Sequence, residues 1–225
     1  MSEIIVSISV WALPLLFAIT LHEAAHAWTA WKLGDNTAKM MGRVSFNPMA
    51  HIDPFGTVIL PLILLISGSG FMFGYAKPVP VNFNQLNNPR RDGVLVALAG
   101  PGANIFLLIM AALFLNLMSL VPAFASEWLG QNLINMIIIN AILAVFNMLP
   151  IPPLDGGRVA VGILPYSLAR PLSRLEPYGM LFILMALFII PIGGRYIGLN
   201  LNIFQYIVIP PVEIMLGWAE NLANL

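Results

Sequence analysis

Hydrophobic residues in this chain come in runs too long for an ordinary soluble core. Six stretches lack Asp, Glu, Lys and Arg altogether: 4–21, 54–76, 94–126, 128–154, 179–194 and 196–212. A helix that spans a bilayer needs roughly 20 apolar residues, with about 17 as a lower limit. Runs 94–126 and 128–154 pass that length with room to spare and predict two full membrane helices. The first run reaches full length only if its helix continues through HEAAHAWTAWKLG. Alanine dominates that extension and Gly34 can close it. The last two runs are tight and meet around Gly193-Gly194-Arg195, which predicts a C-terminal helical hairpin over about 178–217.

Run 54–76 breaks the pattern. Pro61 lies inside it and SGSG occupies 67–70, and both are helix breakers. The segment either spans or enters and leaves on the same side. After it comes GYAKPVPVNFNQLNNPRRDG, whose KPVPVNF part reads as an extended edge or loop. MGRVSFNPMAHID at 41–53 also reads as extended. The two stretches together predict a small β element in or beside the membrane. The expected fold is therefore an all-α polytopic membrane protein. It has five to six transmembrane helices, a re-entrant hydrophobic segment and that β element, in a single domain over 1–225.

Composition agrees. Of 225 residues, 59% are hydrophobic and 9% charged, whereas soluble domains carry about a quarter charged residues. Polar groups are too few to cover a globular surface, so the lipid bilayer must act as solvent. Ten basic and ten acidic residues balance, which gives no reason to expect a nucleic-acid partner. There is no cysteine, so a metal here must use His, Asp or Glu. The N-terminal run has no basic segment before it and leads straight into HEAAH rather than a cleavage site. It reads as a resident helix, not a cleaved leader.

The chemistry begins at LHEAAHAW, residues 21–28. In a helix, His22 and His26 lie one turn apart and about 40° apart around the axis, so both imidazoles can hold one metal. Glu23, on the adjacent face, is placed to take a proton from water rather than to bind the ion. A catalytic zinc site has three protein ligands and one open position, so one ligand is missing. FNMLPIPPLDGGR at 146–158 supplies the best candidate. Asp155 closes a charge-free run, and a carboxylate there is costly unless paired or metal-bound. The plainer partner for it is Arg158. His51 and Asp53 more simply hold a turn, or contribute to a gate or a second metal. Asp35, Asp92, Glu127 and Glu176 read as loop or interface charges.

HEAAH at 22–26, GPGAN at 100–104 and NMLPIPPLDGG at 147–157 resemble the site-2 protease family of intramembrane zinc metalloproteases. GRVSFNPMAHIDPFGT and GYAKPVPVN resemble its small prokaryotic members without PDZ or CBS domains. The resemblance reaches to about residue 170, and its catalytic core spans about 4–158. It implies one zinc ion per chain on His22, His26 and Asp155, with Glu23 as catalytic base. It also implies roles near the site for Asn104 and Asn147. Asn104 reads equally as a polar bridge between helices, and Asn147 as an oxyanion or substrate-backbone contact. The implied partners are transmembrane protein substrates and the bilayer, with no nucleic acid. Metal or proton transport, or a non-catalytic zinc-bearing scaffold, are the competing readings. Transport would spread ligands along a route, whereas these gather at one level.

The resemblance makes a geometric demand. If His26 and Asp155 share one metal, the helices from 4 and from 128 must run the same way, with an odd number of crossings between. Run 94–126 supplies one, so 54–76 must be re-entrant unless 74–92 also crosses. That arrangement puts Lys32, Lys39, Arg43, Lys77, Arg90, Arg91, Arg158, Arg170 and Arg174 on one side and Arg195 on the other. By the positive-inside rule the zinc then lies near the cytoplasmic face of a prokaryotic cell membrane, with the N-terminus outside.

Overall fold

In the computed structural model, which describes residues 3–60, 62–63 and 74–224, the first apolar run and HEAAH form one helix. This helix, α1, covers Glu3–Lys32. It ends in a Schellman closure: Asp35 N–H bonds Ala30 O and Gly34 N–H bonds Trp31 O. Gly34 takes φ +112°, a region that side chains with a Cβ avoid. A Cβ there would also come within 2.9 Å of Gln85 O.

Two further long helices complete the core: α2, Pro89–Leu115, and α3, Ala123–Asn147. Their directions follow from the bonded positions. His26 meets Val96, while Ala18 and His22 meet Asn104, so α2 runs antiparallel to α1. Trp128 bonds Ser9 near the start of α1, while Asn140 meets Asn104 at the level of Ala18 and His22, so α3 runs parallel to α1. The shared direction that a common metal requires is present. The packed interior between α2, α3 and the C-terminal helix is built on small residues, among them Ala111, Ala112, Ala141 and Ala219. Small side chains let backbones approach closely where lipid removes the hydrophobic drive between helices. Ile8, Phe17, Phe106 and Phe114 point outward at 50–57% exposure, as an acyl-chain solvent allows.

Among the described residues, four helices are long and apolar enough to cross a membrane: Ile5–Lys32, Pro89–Leu115, Ala123–Asn147 and Glu176–Tyr196. Five to six were expected. One difference lies at the C-terminus, where the second arm of the predicted hairpin is divided into Ile203–Ile207 and Ile209–Leu222; the other candidate span, 54–76, lies partly outside the described residues. Fourteen residues rise only about 21 Å, short of a roughly 30 Å hydrocarbon core. This piece lies against α2 and α3 through Val208, Val212 and Ala219.

The chain between α1 and α2 begins and ends on one side, where Asn87 N–H bonds Leu33 O. Residues 56–57 and 75 also meet: Tyr75 N–H bonds Gly56 O, and Thr57 Oγ1 bonds Tyr75 O at 2.9 Å. Pro61 and SGSG fall outside the described residues. The expected β element is absent among the described residues, which contain no strand. Pro78 and Pro80 remove ladder donors, and several other backbone groups of 75–82 bond individually to other loops and side chains. Lys77 N–H goes to His51 O, Lys77 O accepts Arg43 Nη2 at 2.6 Å, and Asn82 N–H goes to Asp35 Oδ2 at 2.7 Å. The segment is a strap laid over the end of α1.

Candidate metal centre

The centre lies where α1, α2 and the start of a fourth helix, α4 (Asp155–Ile163), meet. Two glycine-dependent approaches make it possible. A Cβ on Gly100 of α2 would fall 2.3 Å from His26 Nε2 and 2.6 Å from His22 Cε1. The bare backbone is what leaves room for both rings. A Cβ on Gly156 would fall 2.2 Å from Met148 O, and one on Gly157 2.3 Å from Pro152 N. The glycines after Asp155 thus seat the first turn of α4 on the 148–152 loop and bring the carboxylate to the histidines.

His22, His26 and Asp155 are each buried, at 7–8% exposure. The imidazoles stand nearly perpendicular, at 82°, and point their Nε2 atoms at each other 3.0 Å apart. Asp155 Oδ2 lies 3.3 Å from His22 Nε2 and 3.2 Å from His26 Nε2. The other ring nitrogens are engaged: His22 Nδ1 is 2.7 Å from Asn104 Oδ1, and His26 Nδ1 is 2.7 Å from Val96 O. An oxygen acceptor at Nδ1 draws the ring proton there and leaves Nε2 as a lone pair. Three acceptors therefore converge with no proton between them, and Asp155 Oδ2 is buried without a hydrogen-bond partner.

Such a triangle is repulsive unless a cation joins it. Zinc bonds of about 2.0–2.2 Å in tetrahedral geometry place neighbouring ligand atoms roughly 3.3–3.5 Å apart, close to the edges seen here. The donor set, two imidazoles and a carboxylate, is that of a catalytic zinc site. Among the described residues, these three are the group able to hold a metal. Arg158 does not compete for the Asp155 carboxylate; its guanidinium pairs with Glu176 at 3.3 Å.

Glu23 stands beside this group rather than in it. Its Oε2 accepts the Val79 N–H at 2.9 Å, so the strap holds the carboxylate. Asn104 is fully buried and touches a histidine directly. Asn147 gives its amide to Leu143 O on its own helix, at 3.0 Å. His51 is fully buried in the loop, with Nε2 2.8 Å from Ser45 O, and its carbonyl holds Lys77. Asp53 caps the turn at Pro54–Ile59 through Phe55 N–H and Gly56 N–H. Asn140, which sequence reasoning passed over, is fully buried and bonds Asn104 at 2.8 Å. A signal was present: at 100° per residue, Asn132, Asn135, Asn140 and Asn147 fall within an arc of about 140° on α3. One polar face on an apolar helix points into protein.

Residues 122–191 match the model of peptidase family M50. YwhC of Bacillus subtilis (strain 168), which carries a provisional zinc-metalloprotease name, is 39% identical over 193 residues, 84% of each chain. Rip2 of Mycolicibacterium smegmatis, provisionally named likewise, is 34% identical over 80% of this chain and 67% of its own. Rip2 of Mycobacterium tuberculosis (strain H37Rv) is 30% identical over 84% and 71%. No solved structure matches.

Proposed function

Because the chain belongs to peptidase family M50, the site-2 proteases, we propose that it is an intramembrane zinc endopeptidase. It hydrolyses peptide bonds in or near transmembrane segments of other proteins. One observation carries this reading: the His22, His26 and Asp155 triangle, with edges of 3.0–3.3 Å, buried among helices of spanning length. These residues hold one zinc ion per chain. When bound, zinc brings the pKa of water down to about 7 and polarises the scissile carbonyl.

Glu23 is the catalytic base. It takes the proton that water loses on attack and returns it to the leaving amine. The Val79 N–H steadies that carboxylate through Oε2. Asn147, eight positions before Asp155, makes an oxyanion or substrate-backbone contact. Peptide bonds in a membrane helix are already hydrogen-bonded and shielded, so the substrate must unwind. The 75–82 strap lies beside Glu23, where the unwound substrate would meet it, and His51 supports the strap through Lys77. The contact of 56–57 with 75 and the antiparallel α1 and α2 support a chain that leaves and rejoins the same side of the membrane between these two helices. The centre then lies near the cytoplasmic face of a prokaryotic cell membrane.

The test is purification in detergent, zinc stoichiometry, and cleavage of a model transmembrane peptide by wild type and Glu23→Gln. Both should retain zinc and only wild type should cleave. Equal cleavage removes Glu23 from the mechanism, and zinc flux in vesicles without cleavage favours transport.

A further inference from the structure

The two histidines are held by different means. His26 Nδ1 faces Val96 O, a backbone carbonyl that can only accept. His22 Nδ1 faces Asn104 Oδ1, one end of an amide whose other end is a donor. Turned over, that amide would present N–H to His22, put the ring proton on Nε2 and remove one lone pair from the centre. Something must decide which end faces the ring.

The deciding chain starts at Met136 O, which can only accept. Asn140 Nδ2 donates to it at 2.8 Å. Asn140 Oδ1 is thereby left to accept, and it takes Asn104 Nδ2 at 2.8 Å. Ala18 O, at 3.3 Å from the same Nδ2, assists more weakly. With Nδ2 so engaged, Asn104 presents Oδ1 to His22. Asn104 and Asn140 are both fully buried, so no water competes for either amide. We infer that Asn140 is a positioning residue for the metal centre: through Asn104 it fixes which nitrogen of His22 is free to bind metal.

This rests on the reading of His22, His26 and Asp155 as zinc ligands, and its test separates the two. Zinc affinity of the full chain in detergent would be measured by chelator competition for wild type, Asn140→Leu, Asn104→Asp and the double variant. Melting of the metal-free forms and the visible spectrum of cobalt(II)-loaded samples would accompany it. A carboxylate at 104 accepts from His22 whichever way it turns, so it needs no orienting partner. Asn140→Leu should weaken zinc binding about 10-fold, the lower end of the range for loss of an outer-shell partner, because Ala18 O remains. It should also alter the cobalt spectrum. In the Asn104→Asp background the same substitution should cost nothing further. Equal losses in both backgrounds would make Asn140 a packing residue and overturn the inference, as would no loss in the first. If Asn140→Leu does not fold, Asn140→Ala is read the same way. Wild type that binds no zinc would instead sink the ligand assignment itself.

Discussion

The two halves of the candidate site are built on opposite plans. The ligand half is fixed by helices: each imidazole is bonded at its far nitrogen, and glycines at 100, 156 and 157 set how closely the elements meet. The base half sits on the same α1, yet the partner of Glu23 is the backbone of a strap without secondary structure. The strap is tied down bond by bond, to His51, Arg43 and Asp35. On the proposed roles, this arrangement gives rigidly held metal ligands and a loop-tethered base within one turn of α1.

This contrast can be broken from either side. The largest effect is expected from His26→Ala, which removes a ligand: zinc content should fall to background and cleavage should vanish, checked by metal analysis and peptide assay. Glu23→Gln should keep zinc and lower cleavage by about 10²–10⁴-fold, the range for general acid–base catalysis. Gly100→Ala drives a methyl into both imidazoles and should weaken zinc binding by at least about 10-fold, comparable to loss of outer-shell support. On the strap side, Arg43→Ala deletes the bond to Lys77 O. A hydrogen bond to a charged group is worth about 1.5–3 kcal/mol, so part of that loss should appear as about a 10-fold lower kcat/KM with zinc affinity unchanged. Zinc loss in Arg43→Ala would erase the distinction between the halves. The smallest effect is expected from His51→Asn, a change of a few-fold in cleavage with metal content intact.

How much was legible in the sequence follows the same division. HEAAH and the aspartate of LDGG were readable because helix period and the cost of a stray carboxylate are local arguments. The shared direction of α1 and α3 followed from the demand that His26 and Asp155 meet at one metal, which the family resemblance supplied. Asn140 was not singled out, because its role depends on which helix its face meets, and single positions do not carry that. The β element was over-read: alternating prolines suggest extension, but a ladder needs donors that Pro78 and Pro80 lack. The C-terminal arm was over-read for a similar reason, since run 196–212 has spanning composition while its helix is interrupted at Val208.

His26 and Asp155 are 129 positions apart (155 − 26). On the proposed assignment, a growing polypeptide that has delivered its first helix to the bilayer holds two of the three metal ligands and not the third. The remaining carboxylate emerges only after α2 and α3 have been made, and its seat needs Gly156 and Gly157 behind it. On that same assignment, translation order acts as a safety catch: α1, α2 and α3 are all made before the residue that completes the site.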